Sequence, residues 1–127
     1  MSVISHVSVG VNDVARAKAF YDPLMSLLGL RVRASDAESV DYGADALVFS
    51  LETPVNRKPA TPGNGVHIAF AVPDRATVDA FHREALRLGG RDAGAPGLRP
   101  EYSPDYYGAF VLDPDGNKIE AVTGVSG

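Results

Sequence analysis

A chain of 127 residues, 45% hydrophobic and 22% charged, has the length and balance of one globular domain, with enough apolar surface for a core. Its formal net charge of -4, with Lys and Arg scattered, excludes a basic face for nucleic acid or an anionic membrane surface, and the absence of cysteine excludes disulfides and catalytic thiols. No apolar run reaches the length of a bilayer span and Met1 to Gly10 reads as a strand rather than a secretion signal, so the expected location is cytoplasmic.

The first strand alternates, with Val7, Val9 and Val11 on one face and His6, Ser8 and Gly10 on the other. Asp13 stands at a helix N-cap position, and Ala, Phe and Leu then recur at helical spacing as far as Gly29. Strand-like runs follow at Arg31 to Ser35, Ser39 to Tyr42 and Ala46 to Thr53. Pro54 to Gly65, with three prolines and two glycines, predicts an exposed connection. One domain made of two modules, 1–53 and 65–127, joined by a linker at 54–64, is the resulting organisation.

The same order then begins again. Ile68, Phe70 and Val72 alternate with His67, Ala69 and Ala71, Asp74 occupies the second N-cap position, and helical spacing runs to Gly89-Gly90. A shift of 61 positions, the separation of His67 from His6, places Val11 on Val72, Asp13 on Asp74, Phe20 on Phe81, Leu27 on Leu88 and Gly29 on Gly90 without a gap. Gly94 to Tyr107 reads as a long Pro-rich connection of the kind that forms binding loops, which makes Arg99, Tyr102 and Tyr107 candidate substrate contacts. Tyr107 to Leu112 and Asn117 to Thr123 flank Asp113-Pro114-Asp115-Gly116, a hairpin turn. A turn of those four residues pairs Leu112 with Asn117, Phe110 with Ile119 and Ala109 with Glu120. Phe110 and Ile119 then share the helix-packed face, and Glu120 projects from the opposite one with Tyr107 one rung away.

The large apolar strand faces pack on the helices, so His6, His67 and Glu120 all turn toward an open concavity. Two imidazoles and a carboxylate from three strands suit a divalent transition metal (Zn, Ni, Mn or Fe), with remaining positions open to water or substrate. One strand histidine alone reads as a polar residue on a half-exposed face; two at the same register of duplicated strands read as ligands. Glu120 is also the candidate catalytic group, and His82 reads as a solvated helix residue. The Asp-Pro-Asp-Gly turn lacks the further acidic positions of a calcium loop, Gly63-Asn64-Gly65 leads into a strand rather than a helix N-terminus, and no Ser sits in a nucleophile elbow.

His6 in SHVSVGVND, His67 in VHIAFAV and Glu120 in GAFVLDPDGNKIEAV carry a resemblance, over essentially the whole chain, to the vicinal oxygen chelate superfamily, also called glyoxalase/bleomycin resistance/dioxygenase. That resemblance implies an α+β fold of two βαβββ modules whose curled mixed sheets surround a central cleft. It also implies chemistry in which neighbouring oxygens of a small-molecule substrate chelate a metal: a lyase or isomerase, a thiol transferase with a thiol co-substrate, or a dioxygenase. The alternative it carries is a metal-free protein that binds a drug or metabolite. Similarity to glyoxalase I implies a fourth ligand on the last strand of the first module. Aligning FSLETP with IEAVTG puts Ser50 there, a residue then facing substrate, while Glu52 lies one rung further on the same face and would serve in another register. Because family members pair modules within a chain or across two, a homodimer is expected, and His6 meets His67 either of its own chain or of a partner.

Overall fold

Two four-stranded mixed sheets, each backed by one helix, make up the computed structural model, which describes residues 2–126. The first contains β1 (Val7–Gly10), α1 (Val14–Leu27), β2 (Arg31–Ser35), β3 (Ser39–Gly43) and β4 (Leu47–Glu52); the second contains β5 (His67–Ala71), α2 (Arg75–Arg87), β6 (Arg91–Leu98), β7 (Tyr107–Leu112) and β8 (Lys118–Thr123). Strand orders are β1-β4-β3-β2 and β5-β8-β7-β6, with β1 parallel to β4, β5 parallel to β8, and the other neighbours antiparallel. This is the expected α+β arrangement of two βαβββ modules, and it leaves β1 and β5 as sheet edges. Among the described residues no helix is long and apolar enough to cross a membrane.

Each helix begins where its sequence offers a cap. The Asp13 carboxylate accepts from the Arg16 amide at 3.0 Å, and that of Asp74 from the Thr77 amide at 2.8 Å, satisfying N–H groups that have no partner within the helix. Both helices stop at a glycine in the left-handed region, Gly29 (φ 77) and Gly89 (φ 102). The second helix is one residue shorter, 13 against 14, so Gly89 rather than Gly90 is the counterpart of Gly29. His82 is less solvated than expected: its side chain is 12% exposed and its Nε2 lies 2.9 Å from Asp92, whose carboxyl it holds below the usual range.

The apolar faces of both sheets and both helices form one continuous core. Phe49 of β4 and Phe70 of β5 meet edge to face at 5.2 Å, so the two modules bury each other's aromatic side chains. The β7–β8 turn adds a polar tie. Asp113, 1% exposed, accepts from the Asp115 and Asn117 amides, the Asn117 side chain and the Tyr21 hydroxyl of α1 at 2.6 Å. Asn117 also donates to the Gly10 carbonyl, and Asp115 accepts from the Asn12 amide and from Arg16. A turn in the second module thereby clasps the strand end and helix start of the first.

Two strand-level expectations are corrected. The segment beginning at Gly94 is not wholly a connection, because Arg91–Leu98 forms β6, with register irregularities between Asp92 and Gly94 and between Gly94 and Gly97. Pro96 is tolerated since β6 is an edge strand, and the bulged, glycine-containing run conceals the alternation that marks a strand. The hairpin register also differs by one: Leu112 pairs with Lys118, Val111 with Ile119, Phe110 with Glu120 and Ala109 with Ala121. Asn117 is drawn into the loop, its carbonyl taking the Asp113 amide at 2.8 Å. That one residue turns β7 over relative to expectation, so Tyr106, Gly108 and Phe110 share the face of Glu120, while Tyr107, Ala109 and Val111 face α2.

Candidate functional site

Glu120 occupies the centre of β8 between Ile119 and Ala121, both fully buried against the helix side, and therefore points to the concave side. Its own side chain is completely inaccessible, which is costly for a carboxylate unless both oxygens are engaged. They are. His67 Nε2 lies 3.2 Å from Oε1, and the Tyr106 hydroxyl donates to Oε2. The parallel pairing of β5 with β8 brings His67 level with Lys118 and Ala69 level with Glu120, so a small residue beside the carboxylate lets the imidazole reach it. Gly108 is needed for the same reason: a Cβ there would lie 2.8 Å from Oε2. Burial, and then the neighbouring Glu120 carboxylate, push the Tyr106 phenol well above the ordinary tyrosine range, so it remains a proton donor at neutral pH.

A cavity of about 620 Å³ opens over this pair, lined by His67, Arg99, Tyr102, Tyr106, Phe110 and Lys118 among others. The loop after β6 forms one wall. The Arg99 amide donates to the Tyr106 carbonyl at 2.7 Å, the Tyr102 amide to the Arg99 carbonyl at 3.0 Å, and the Tyr102 and Tyr106 rings meet edge to face at 5.0 Å.

Of the residues singled out in the sequence, His67 and Glu120 come together, and Arg99 and Tyr102 line the cavity beside them. Tyr107 does not: the reversed β7 face sends its hydroxyl to Asp79 of α2 at 2.7 Å. Ser50 lies in the other sheet, where its hydroxyl donates to Asp41 at 2.8 Å. Its equivalence with Glu120 is nevertheless structural, since Ser8 pairs with Ser50 as Ala69 pairs with Glu120. Glu52 sits two residues on, level with Gly10 and Ser39, and partial burial followed by Asp41 and Asp36 raises its carboxyl above the usual range.

His6 is exposed just before β1, its Nδ1 2.9 Å from the Ser5 hydroxyl. It shares a separate surface hollow with His67, Ile4 and Val48. Among the described residues no three His, Cys, Asp or Glu side chains gather as a metal-binding group, so the expected meeting of His6 with His67 and Glu120 is not made within one chain. His6 lies just before edge strand β1 of the first sheet and His67 on edge strand β5 of the second, and the hollow they share does not include Glu120. Tyr106, Phe110 and Lys118 are site residues that the sequence reading missed. Alternation alone assigns Phe110 to either face because its neighbours Ala109 and Val111 are also apolar, whereas the adjacent Tyr106-Tyr107 pair did signal that one of two tyrosines must face the site.

The donor chemistry suits a borderline divalent ion as a half-site. An imidazole nitrogen and a carboxylate oxygen face one another, and the buried carboxylate gains from a cation, but one chain brings two ligands together and a third must be added.

A family model described as Glyoxalase/Bleomycin resistance protein/Dioxygenase superfamily matches residues 3–121. A crystal structure of a glyoxalase/bleomycin resistance protein from Albidiferax ferrireducens T118 is 40% identical, with TM-score 0.86 over 95% of this chain and 98% of that one. Similar in fold are a lactoylglutathione lyase from Agrobacterium tumefaciens (23% identity, TM-score 0.68, 98% and 95% covered) and a glyoxalase-related enzyme from Fulvimarina pelagi (18%, 0.76, 98% and 89%). No curated protein matches the chain.

Proposed function

We propose that this chain, which belongs to the Glyoxalase/Bleomycin resistance protein/Dioxygenase superfamily, is a divalent-metal-dependent enzyme acting on a small molecule with neighbouring oxygen donors in the cavity over Glu120. The observation that carries this reading is a fully buried carboxylate on a cavity floor with an imidazole nitrogen 3.2 Å from one oxygen. His67 and Glu120 of one copy and His6 of a second copy would hold the ion in a homodimer. The edge positions of β1 and β5 favour that pairing, because unpaired edges are what a second copy covers. When bound, the metal supplies Lewis-acid polarisation of a substrate oxygen.

The chain's own groups set the frame for that chemistry. Tyr106 fixes Glu120 through Oε2, leaving Oε1 and His67 Nε2 directed at one another. Arg99 and Tyr102 bound the cavity from the loop after β6 and would orient substrate there.

Metal analysis of purified protein tests the proposal: close to one divalent ion per chain is expected, and protein that neither retains nor reconstitutes metal is instead a binding protein of the cavity. Co-expression of His6→Ala with Glu120→Ala chains tests the sharing. If sites form between copies, the mixed dimer regains one intact site where each variant alone has none; if they form within a chain, it regains none.

A further inference from the structure

We propose that the substrate of this cavity carries a carboxylate, seated against Arg99 and Lys118, with its apolar body on the ring of Phe110. The inference deepens the reading above and rests on the cavity over Glu120 being the reaction site.

Two cations, Arg99 on the loop after β6 and Lys118 on β8, converge on one aromatic ring: Arg99 Cζ lies 5.7 Å and Lys118 Nζ 5.0 Å from the Phe110 centroid. Among the described residues neither forms an ion pair. Among the described residues Glu120 is the one acid lining the cavity, and His67 and Tyr106 already engage both of its oxygens. A chain with net charge -4 thus presents a pocket in which, among the described residues, the two cations Arg99 and Lys118 face the one carboxylate of Glu120.

The backbone is shaped to hold the guanidinium there. A Cβ at Gly94 would lie 3.3 Å from Arg99 Nη2 and 2.9 Å from the Phe110 ring, and one at Gly97 would lie 3.1 Å from Arg99 Nη1. The irregular β6 places both glycines beneath the side chain, and Arg99 Nη2 donates to the Ala95 carbonyl at 2.7 Å. One bond orients the planar group and leaves further N–H donors for a ligand, a fork that matches the two oxygens of a carboxylate. Phe110 and Tyr102 supply the apolar contact that a free inorganic anion would not use.

Calorimetric titration of the full chain, stripped of metal by chelator, with 2-naphthoate and with the neutral 2-naphthylmethanol tests this. The acid should bind at least about tenfold tighter than the alcohol, and Arg99→Gln should remove about tenfold of the acid's affinity while leaving the alcohol's unchanged. Lys118→Met should remove a smaller part and decides the matter alone if Arg99→Gln does not fold. Equal affinity for acid and alcohol, no binding of either, or variants that keep the wild-type preference overturns the proposal. Repeating the titration with zinc present separates the two readings. Protein that takes up no metal but prefers the acid through Arg99 sinks the metal centre alone; protein that loads metal and shows no preference sinks the carboxylate alone.

Discussion

The concave faces of the two modules sit on the same frame and carry opposite chemistry. Where the second has Glu120 beside Phe110, with Ala69 on its other side, the first has Ser50 beside Asp41, with Ser8 on its other side. In the first module the carboxylate has moved one strand over and is satisfied locally by the Ser50 hydroxyl. In the second it is fully buried and held by a histidine and a tyrosine over a cavity. Duplication therefore preserved the backbone register, which the shared core demands, and left the concave face free to diverge because those side chains touch no helix.

The comparison is broken most severely at its centre. Glu120→Gln keeps shape and hydrogen bonding but removes the charge, and should weaken divalent-metal binding by more than about a hundredfold, whereas Ser50→Ala should leave it unchanged; competitive chelator titration reads both. If the two substitutions act alike, the asymmetry of the modules has no functional meaning. The turns offer a second contrast. Asp113→Ala strands the Tyr21 hydroxyl and Asn117 in the core and should cost about 3 kcal/mol in urea unfolding. Asp45→Ala, in the exposed β3–β4 turn, should stay within about 0.5 kcal/mol.

A finer effect is expected at Tyr106. Tyr106→Phe leaves the buried Glu120 Oε2 without its donor and should lower metal affinity about tenfold, with a shifted pH dependence of binding and a loss of about 1–2 kcal/mol in urea unfolding. A variant with wild-type affinity and pH profile would make Tyr106 a packing residue. The mildest test is pH. Burial above all, with Asp113 beside Tyr21 and Asp22 beside Tyr42, pushes both phenols upward from their ordinary value of 10.0. The fold favours their neutral form, so the stability they confer is complete below about pH 10 and is lost as pH rises further. Phenolate absorbance from Tyr21 and Tyr42 should therefore appear together with loss of circular dichroism; ionisation in a still-folded protein would contradict it.

Much of this arrangement was legible in order along the chain. The histidine-bearing strands, the Asp13 and Asp74 caps, the glycine stops and the connection at 54–64 follow from local rules, and the repeat turned them into two modules. The equivalence of Ser50 and Glu120 was legible too, since alternation along a strand is a local property. The hairpin register was not. It depended on whether Asn117 belongs to β8 or to the loop, and the decision lies with Asp113, Tyr21 and the Gly10 carbonyl, partners up to 107 residues away. That single residue exchanged Tyr107 for Tyr106 at the site and moved Phe110 from the core side to the cavity.

Local periodicity by itself determined that this protein has two copies of one module and that His67 and Glu120 share a face, because alternation and capping are set by bonds between near neighbours. Only the tertiary structure decided what stands around Glu120, and that His6 stays apart from it in a single chain, because strand register and sheet placement are fixed by buried contacts between segments far apart in sequence.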